Sequence, residues 1–159
     1  MDIERLATTE VKKRLALCTG LSPFISEGDK EPSWDGNIYV YPNDNCRKAE
    51  LIAKVPVQVK GKKKQINADT LNFSFSAEVS DLNNYWRDGG AMYFVVLING
   101  SDSFVFYKSL LPLDLQHILK NIGTLLEIIR AYDSQMRKDS QLLQFAIDAA
   151  DLIYKKTKE

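Results

Sequence analysis

The chain has 159 residues, 45% of them hydrophobic and 26% charged, which is material for one globular core and excludes a disordered or fibrous chain. Its 21 basic and 21 acidic residues cancel to a formal charge of +0, so a general basic field for nucleic acid is excluded and only a local patch could serve. Two cysteines and one histidine, His117, speak against a disulfide framework and a zinc site, and the single His together with the lack of a Gly-x-Ser-x-Gly elbow argues against a Ser-His-Asp hydrolase.

Met1-Asp2-Ile3-Glu4 lacks the basic start and apolar run of a secretory leader. No apolar run approaches the roughly 20 residues of a membrane helix, so the expected compartment is the cytoplasm, without membrane partners. Ile3, Leu6, Ala7, Val11, Leu15 and Cys18 recur at three- and four-residue steps and predict a helix over 3–18, stopped by Gly20. Residues 22–36 are rich in Ser, Pro, Gly and charge and read as a loop. Residues 37–41 and 51–60 read as two strands joined across Pro42-Asn43-Asp44-Asn45, with Val55, Val57 and Val59 on one face.

Gly61 to Gln65 reads as a basic turn, and the alternation of Leu71, Phe73 and Phe75 predicts a strand over 71–75. Ser80-Asp81 reads as the cap of a short helix running to Trp86. The apolar run 91–98 predicts a strand buried on both faces, and Asn99-Gly100 a hairpin to a strand over 103–107. From Pro112 the pattern turns helical, with one stripe at Leu115, Ile118, Leu119 and Ile122 and others reaching Ile153. The order predicts an α/β fold with a mixed sheet flanked by helices and a helical C-terminal segment. Residues 1–112 form its core, and 113–159 are helices that pack on it or lead to a further domain.

Chemistry concentrates at Asp35 and at Gln58-Val59-Lys60. Residues two apart on a strand share a face, so Gln58 and Lys60 point the same way. Asp35 offers an anionic oxygen to Mg²⁺, while the Gln58 side chain and the Val59 backbone offer neutral carbonyl oxygens. Lys60 would orient water and stabilise charge on a phosphate. A lysine at a strand end can equally mark the approach to solvent. Glu10 lies beside the apolar stripe of the first helix, where a carboxylate either finds a cation or snorkels to water.

The order Glu10, Asp35, Gln58-Val59-Lys60 resembles the PD-(D/E)XK, or restriction-endonuclease-like, nuclease superfamily, with glutamine in place of the second acid as in its Mrr-like branch. Trp34-Asp35-Gly36, Val57-Gln58-Val59-Lys60-Gly61 and the strands at 91–97 and 105–107 are also similar to the prokaryotic family known as domain of unknown function 4365. The resemblance covers roughly the first two-thirds of the chain. It implies a catalytic set of Glu10, Asp35, Gln58 and Lys60. Asp35, Gln58, Val59 and Glu10 would hold Mg²⁺ or Mn²⁺. It further implies a metal-dependent endonuclease acting on DNA, with RNA left open, in prokaryotic antiphage defence or DNA processing.

Lys54, Lys62, Lys63 and Lys64 are the candidate phosphate contacts, with a solvated basic turn as the plain alternative. Tyr85 and Trp86 could stack on bases or pack as ordinary core aromatics. A second copy, or a further domain or subunit, would supply target recognition. The competing expectation is a catalytically inactive domain of the same fold that binds nucleic acid or a protein partner.

Overall fold

Asp2 opens the first element, its side chain accepting a hydrogen bond from the Arg5 N–H at 3.1 Å. The computed structural model describes residues 2–28, 31–65 and 75–122. In chain order these give α1 (Ile3–Ala16), β1 (Leu21–Ile25), β2 (Gly36–Val40), a 3₁₀ turn (Lys48–Glu50), β3 (Ala53–Lys63), α2 (Val79–Arg87), β4 (Ala91–Asn99) and β5 (Asp102–Leu110). Residues 112–122 are helical and are called α3. The architecture is α/β, with one five-stranded mixed sheet flanked by helices.

The strands lie in sequence order, β1-β2-β3-β4-β5. All neighbours are antiparallel except β3 and β4, which run parallel. A parallel neighbour needs a crossover, and α2 lies within the 64–90 connection that makes it. The sheet separates two apolar layers. On one side Ala7, Val11 and Leu15 of α1 pack on Val57, Val59, Phe94, Val96 and Ile98. On the other, Leu82 and Tyr85 of α2 and Leu115 and Ile118 of α3 pack on Tyr93, Val95 and Leu97. β4 serves both layers by strict alternation, which is why its sequence is continuously apolar.

β1 departs from expectation, because Ser22-Pro23 reads as loop. It is an edge strand, and there proline forfeits no ladder bond on its open side. β3 runs three residues past the expected end, so the basic segment Gly61–Lys63 is strand rather than turn. α2 is capped at Glu78, whose side chain makes no capping bond to a backbone N–H, rather than by Ser80-Asp81. Gly61 has a packing reason, since a Cβ there would stand 2.7 Å from the Ile3 carbonyl oxygen and 3.0 Å from Ala7 Cβ. α1 therefore crosses β3 at close range, and its first turn is held beside the Gln58–Lys60 segment. The expected strand over 71–75 and the helical stripes beyond Ile122 lie outside the described residues, apart from Phe75, which is not in a strand. Among the described residues no helix is long and apolar enough to cross a membrane.

Candidate functional site

β3 continues beyond the point where β2 begins. Gly36↔Val57 is the outermost pair of that ladder. Asp35 continues it by one backbone bond, donating its N–H to the Val57 carbonyl at 2.9 Å, and its own carbonyl accepts from Ser26 N–H at 2.8 Å. Past Val57, the Val59 N–H has no β2 residue opposite it, and the Asp35 carboxylate takes that place. Asp35 Oδ2 accepts from Val59 N–H at 2.7 Å and from the Gln58 amide nitrogen at 2.6 Å. The same amide nitrogen lies 3.4 Å from the Val59 carbonyl oxygen.

Gln58 is buried at 4% exposure and sits on the α2 side of the sheet. Its carbonyl oxygen accepts a long hydrogen bond, 3.4 Å, from the Tyr85 hydroxyl. Tyr85 is fully buried between Trp34 and Tyr93, edge-on to both. Burial, and then the nearby charges of Asp81 and Asp35 and the neighbouring Tyr93, push its phenol strongly upward, so it stays a neutral hydroxyl able to donate or accept.

The loop carrying Asp35 is fastened to α2. Ser33 Oγ donates to Asp81 at 2.6 Å and accepts from the Asn84 amide at 2.8 Å. Ser33 has φ 69, a left-handed conformation rare for a side-chain-bearing residue, and these two bonds help hold it there. Gly36, on the other side of Asp35, has φ 153, and a Cβ on it would strike the Phe24 carbonyl. Asp35 thus lies between a left-handed Ser33 and a Gly36 whose place admits no side chain.

Asp35, Gln58, Val59 and Lys60 line one cleft of about 460 Å³. Lys60 is half-buried and shares the Gln58 face, as the two-residue spacing predicts. α1 contributes Glu4, Arg5 and Thr8 to the wall, the loop after β1 contributes Glu27, and the segment before Asp35 contributes Glu31 and Ser33. With Asp2 and Asp81 this makes, among the described residues, six carboxylates against the two cations Arg5 and Lys60. Glu27 is already matched, to Lys12 at 3.0 Å and Arg5 at 3.6 Å, and the bonded Lys12 holds its carboxyl below the usual range.

Glu10 is elsewhere. It pairs with Arg14 at 2.9 Å, and Arg14 in turn reaches the Ser103 carbonyl of β5 at 3.3 Å. Partial burial pulls its carboxyl upward, but hydrogen bonds from Arg14 and Ser103 and the charges of Lys13 and Arg14 outweigh that and leave it below the usual range. The structure therefore does not bring Glu10 to the cleft, and the acid that α1 supplies there is Glu4. The spacing of Glu4 and Thr8, one helical turn apart, was the available signal, but the apolar stripe favoured Glu10.

The lysines are also dispersed. Lys54 is exposed near the far end of β3, six residues or about 20 Å from Lys60. Lys62 and Lys63 are exposed on opposite faces of the strand end, and the Lys64 backbone N–H donates to Ile98. None of the four lines the cleft. Trp86 is 43% exposed at the end of α2, while Tyr85 is core.

Among the described residues no three His, Cys, Asp or Glu side chains gather as a metal group. Asp35 and the Val59 carbonyl still supply adjacent hard oxygens of the kind Mg²⁺ and Mn²⁺ accept, with the Gln58 amide beside them. The fit has one condition, because the Gln58 amide now presents nitrogen, not oxygen, to Asp35. No protein-family model, curated protein or solved structure gives a significant match to the chain.

Proposed function

We propose that this domain is a metal-dependent phosphodiesterase acting on DNA, of the restriction-endonuclease-like kind, working as the cutting module of a prokaryotic defence or DNA-processing system. One observation carries the reading: Asp35, Gln58, Val59 and Lys60 meet at a single cleft where β3 outruns β2. Asp35, Val59 and Gln58 would hold Mg²⁺ or Mn²⁺, which when bound supplies Lewis-acid stabilisation of the phosphate. Lys60 has the length and charge to orient the attacking water and to offset charge gathering on the phosphate oxygens. The excess of carboxylates repels a nucleic-acid backbone, so the cleft suits phosphate only together with a cation.

The second reading is a non-cutting domain of the same architecture that binds nucleic acid or a protein. The observation favouring it is the glutamine at 58, which adds no charge to the metal set and turns its nitrogen toward Asp35. Incubation of supercoiled plasmid with Mg²⁺ or Mn²⁺ separates the two. Nicking or linearisation that is lost in Asp35→Ala and with chelator supports the first. An intact plasmid, with retained DNA binding, supports the second.

A further inference from the structure

A carboxylate can only accept hydrogen bonds, so an amide 2.6 Å from it must present its NH₂ end. That fixes the sense of the Gln58 side chain. Its nitrogen lies against Asp35 Oδ2 and 3.4 Å from the Val59 carbonyl, where a cation shared by those oxygens would sit. Its oxygen faces away, toward Tyr85.

We infer that Gln58 is a gate: its amide must turn over about its last side-chain bond before the Asp35–Val59 set can take a divalent cation. This rests on the phosphodiesterase reading and adds a regulatory step to it. Three features make the turn feasible. The torsion between the last aliphatic carbon and the amide is broad and roughly two-fold, so the two orientations occupy the same space. The hydrogen bond at the far end is long, 3.4 Å, and little stabilisation is given up there. The Tyr85 hydroxyl donates to the amide oxygen in one orientation and accepts from the amide nitrogen in the other, so it suits both.

One feature opposes the turn. The short bond from the amide nitrogen to an ionised carboxylate is of the strong, charge-assisted kind. With the oxygen turned inward and no cation present, carbonyl and carboxylate would repel. Divalent affinity in the absence of nucleic acid is therefore low, and a phosphate that completes the coordination shell favours the turned state. Cation and nucleic acid would then bind cooperatively, each raising the affinity for the other by the same factor.

The Gln58 side-chain NH₂ resonances in a ¹⁵N-labelled full chain, assigned by their loss in Gln58→Glu, read the turn directly. Addition of Mg²⁺ with a short DNA duplex should move that pair as its partner changes from carboxylate to phenol. Gln58→Glu, which cannot present NH₂, should bind Mn²⁺ without DNA roughly tenfold or more tightly than the wild type, counted as loss of the free-Mn²⁺ EPR signal. Binding that disappears in Asp35→Ala, but leaves the Gln58 pair unmoved, would overturn the gate while the metal site stands. Absence of Mn²⁺ or Mg²⁺ binding in both wild type and Gln58→Glu would overturn gate and phosphodiesterase reading together. The wild-type resonances decide the matter even if Gln58→Glu folds poorly.

Discussion

At the scale of single residues, the cleft is an arrangement of held side chains. Lys60 is half-buried and stands outside both apolar layers. Lys60→Ala should therefore abolish plasmid cleavage while shifting stability by no more than about 0.5 kcal/mol in a chemical denaturation curve. A matching loss of stability and activity would identify a structural lysine. Ser33 makes the complementary case. Ser33→Ala removes two hydrogen bonds and keeps a side chain in the left-handed region, at a cost of about 1–3 kcal/mol. Ser33→Gly removes the same bonds but relieves the backbone, so it should be the more stable of the two variants by about 1 kcal/mol. Equal melting points would mean that φ 69 carries no strain. Glu10 has its own signature. Its carboxyl titrates lower in the folded chain than the usual 4.5, so the ionised pair stabilises the fold above that value. The contribution fades as pH falls through the depressed folded value, because both states are then protonated. Glu10→Gln should accordingly lower the melting point at neutral pH and leave it close to wild type in strong acid. A pH-independent difference would show that packing, not charge, is what Glu10 contributes.

At the scale of elements, α1 and β3 meet through Gly61, and that close approach sets one wall of the cleft. Gly61→Ala inserts a methyl against the Ile3 carbonyl and Ala7, an overpacking worth about 1–3 kcal/mol. It should also reduce cleavage more than its stability loss explains, because the first turn of α1 carries Glu4, Arg5 and Thr8. Unchanged turnover per folded molecule would show that the α1 wall is passive. The elements also show what a sequence can disclose. α1, α2, β4 and β5 were legible because each buries a continuous stripe or an alternating face, and period follows from burial. β1 was hidden because an edge strand tolerates proline and need bury only one face. The shared face of Gln58 and Lys60 followed from strand period alone. The bond from Asp35 to Val59 did not, since it depends on where β2 begins relative to β3, a register that no local pattern encodes. Glu10 was misplaced for a related reason. A helical wheel says which residues border a stripe, but not which border meets the cleft and which meets β5.

At the scale of the whole molecule, a chain with net charge +0 and an acid-rich cleft cannot draw nucleic acid by its overall field. The densest positive charge is Lys60 to Lys64, at the end of the central strand β3. Replacing Lys62, Lys63 and Lys64 together by Gln should weaken DNA binding. The slope of log affinity against log salt should fall by about one for each phosphate no longer neutralised. An unchanged slope would put the nucleic-acid surface elsewhere. Metal affinity without DNA should hardly change in that variant, because none of the three lysines lines the cleft.

The overhang of β3 past β2 also makes the site observable from the backbone. Within the ladders of the sheet an amide proton is shielded by the neighbouring strand to which it is bonded, and it exchanges with solvent only when strands part. At Val59 the shield is a side chain, the Asp35 carboxylate. The exchange rate of that one amide thus follows what occupies Asp35 and not the opening of the sheet. In Asp35→Ala it should exchange far faster while the other core amides of β3 keep their protection. A cation that draws the carboxylate away should speed the same proton in the wild type, so hydrogen exchange at a single position becomes a label-free gauge of occupancy.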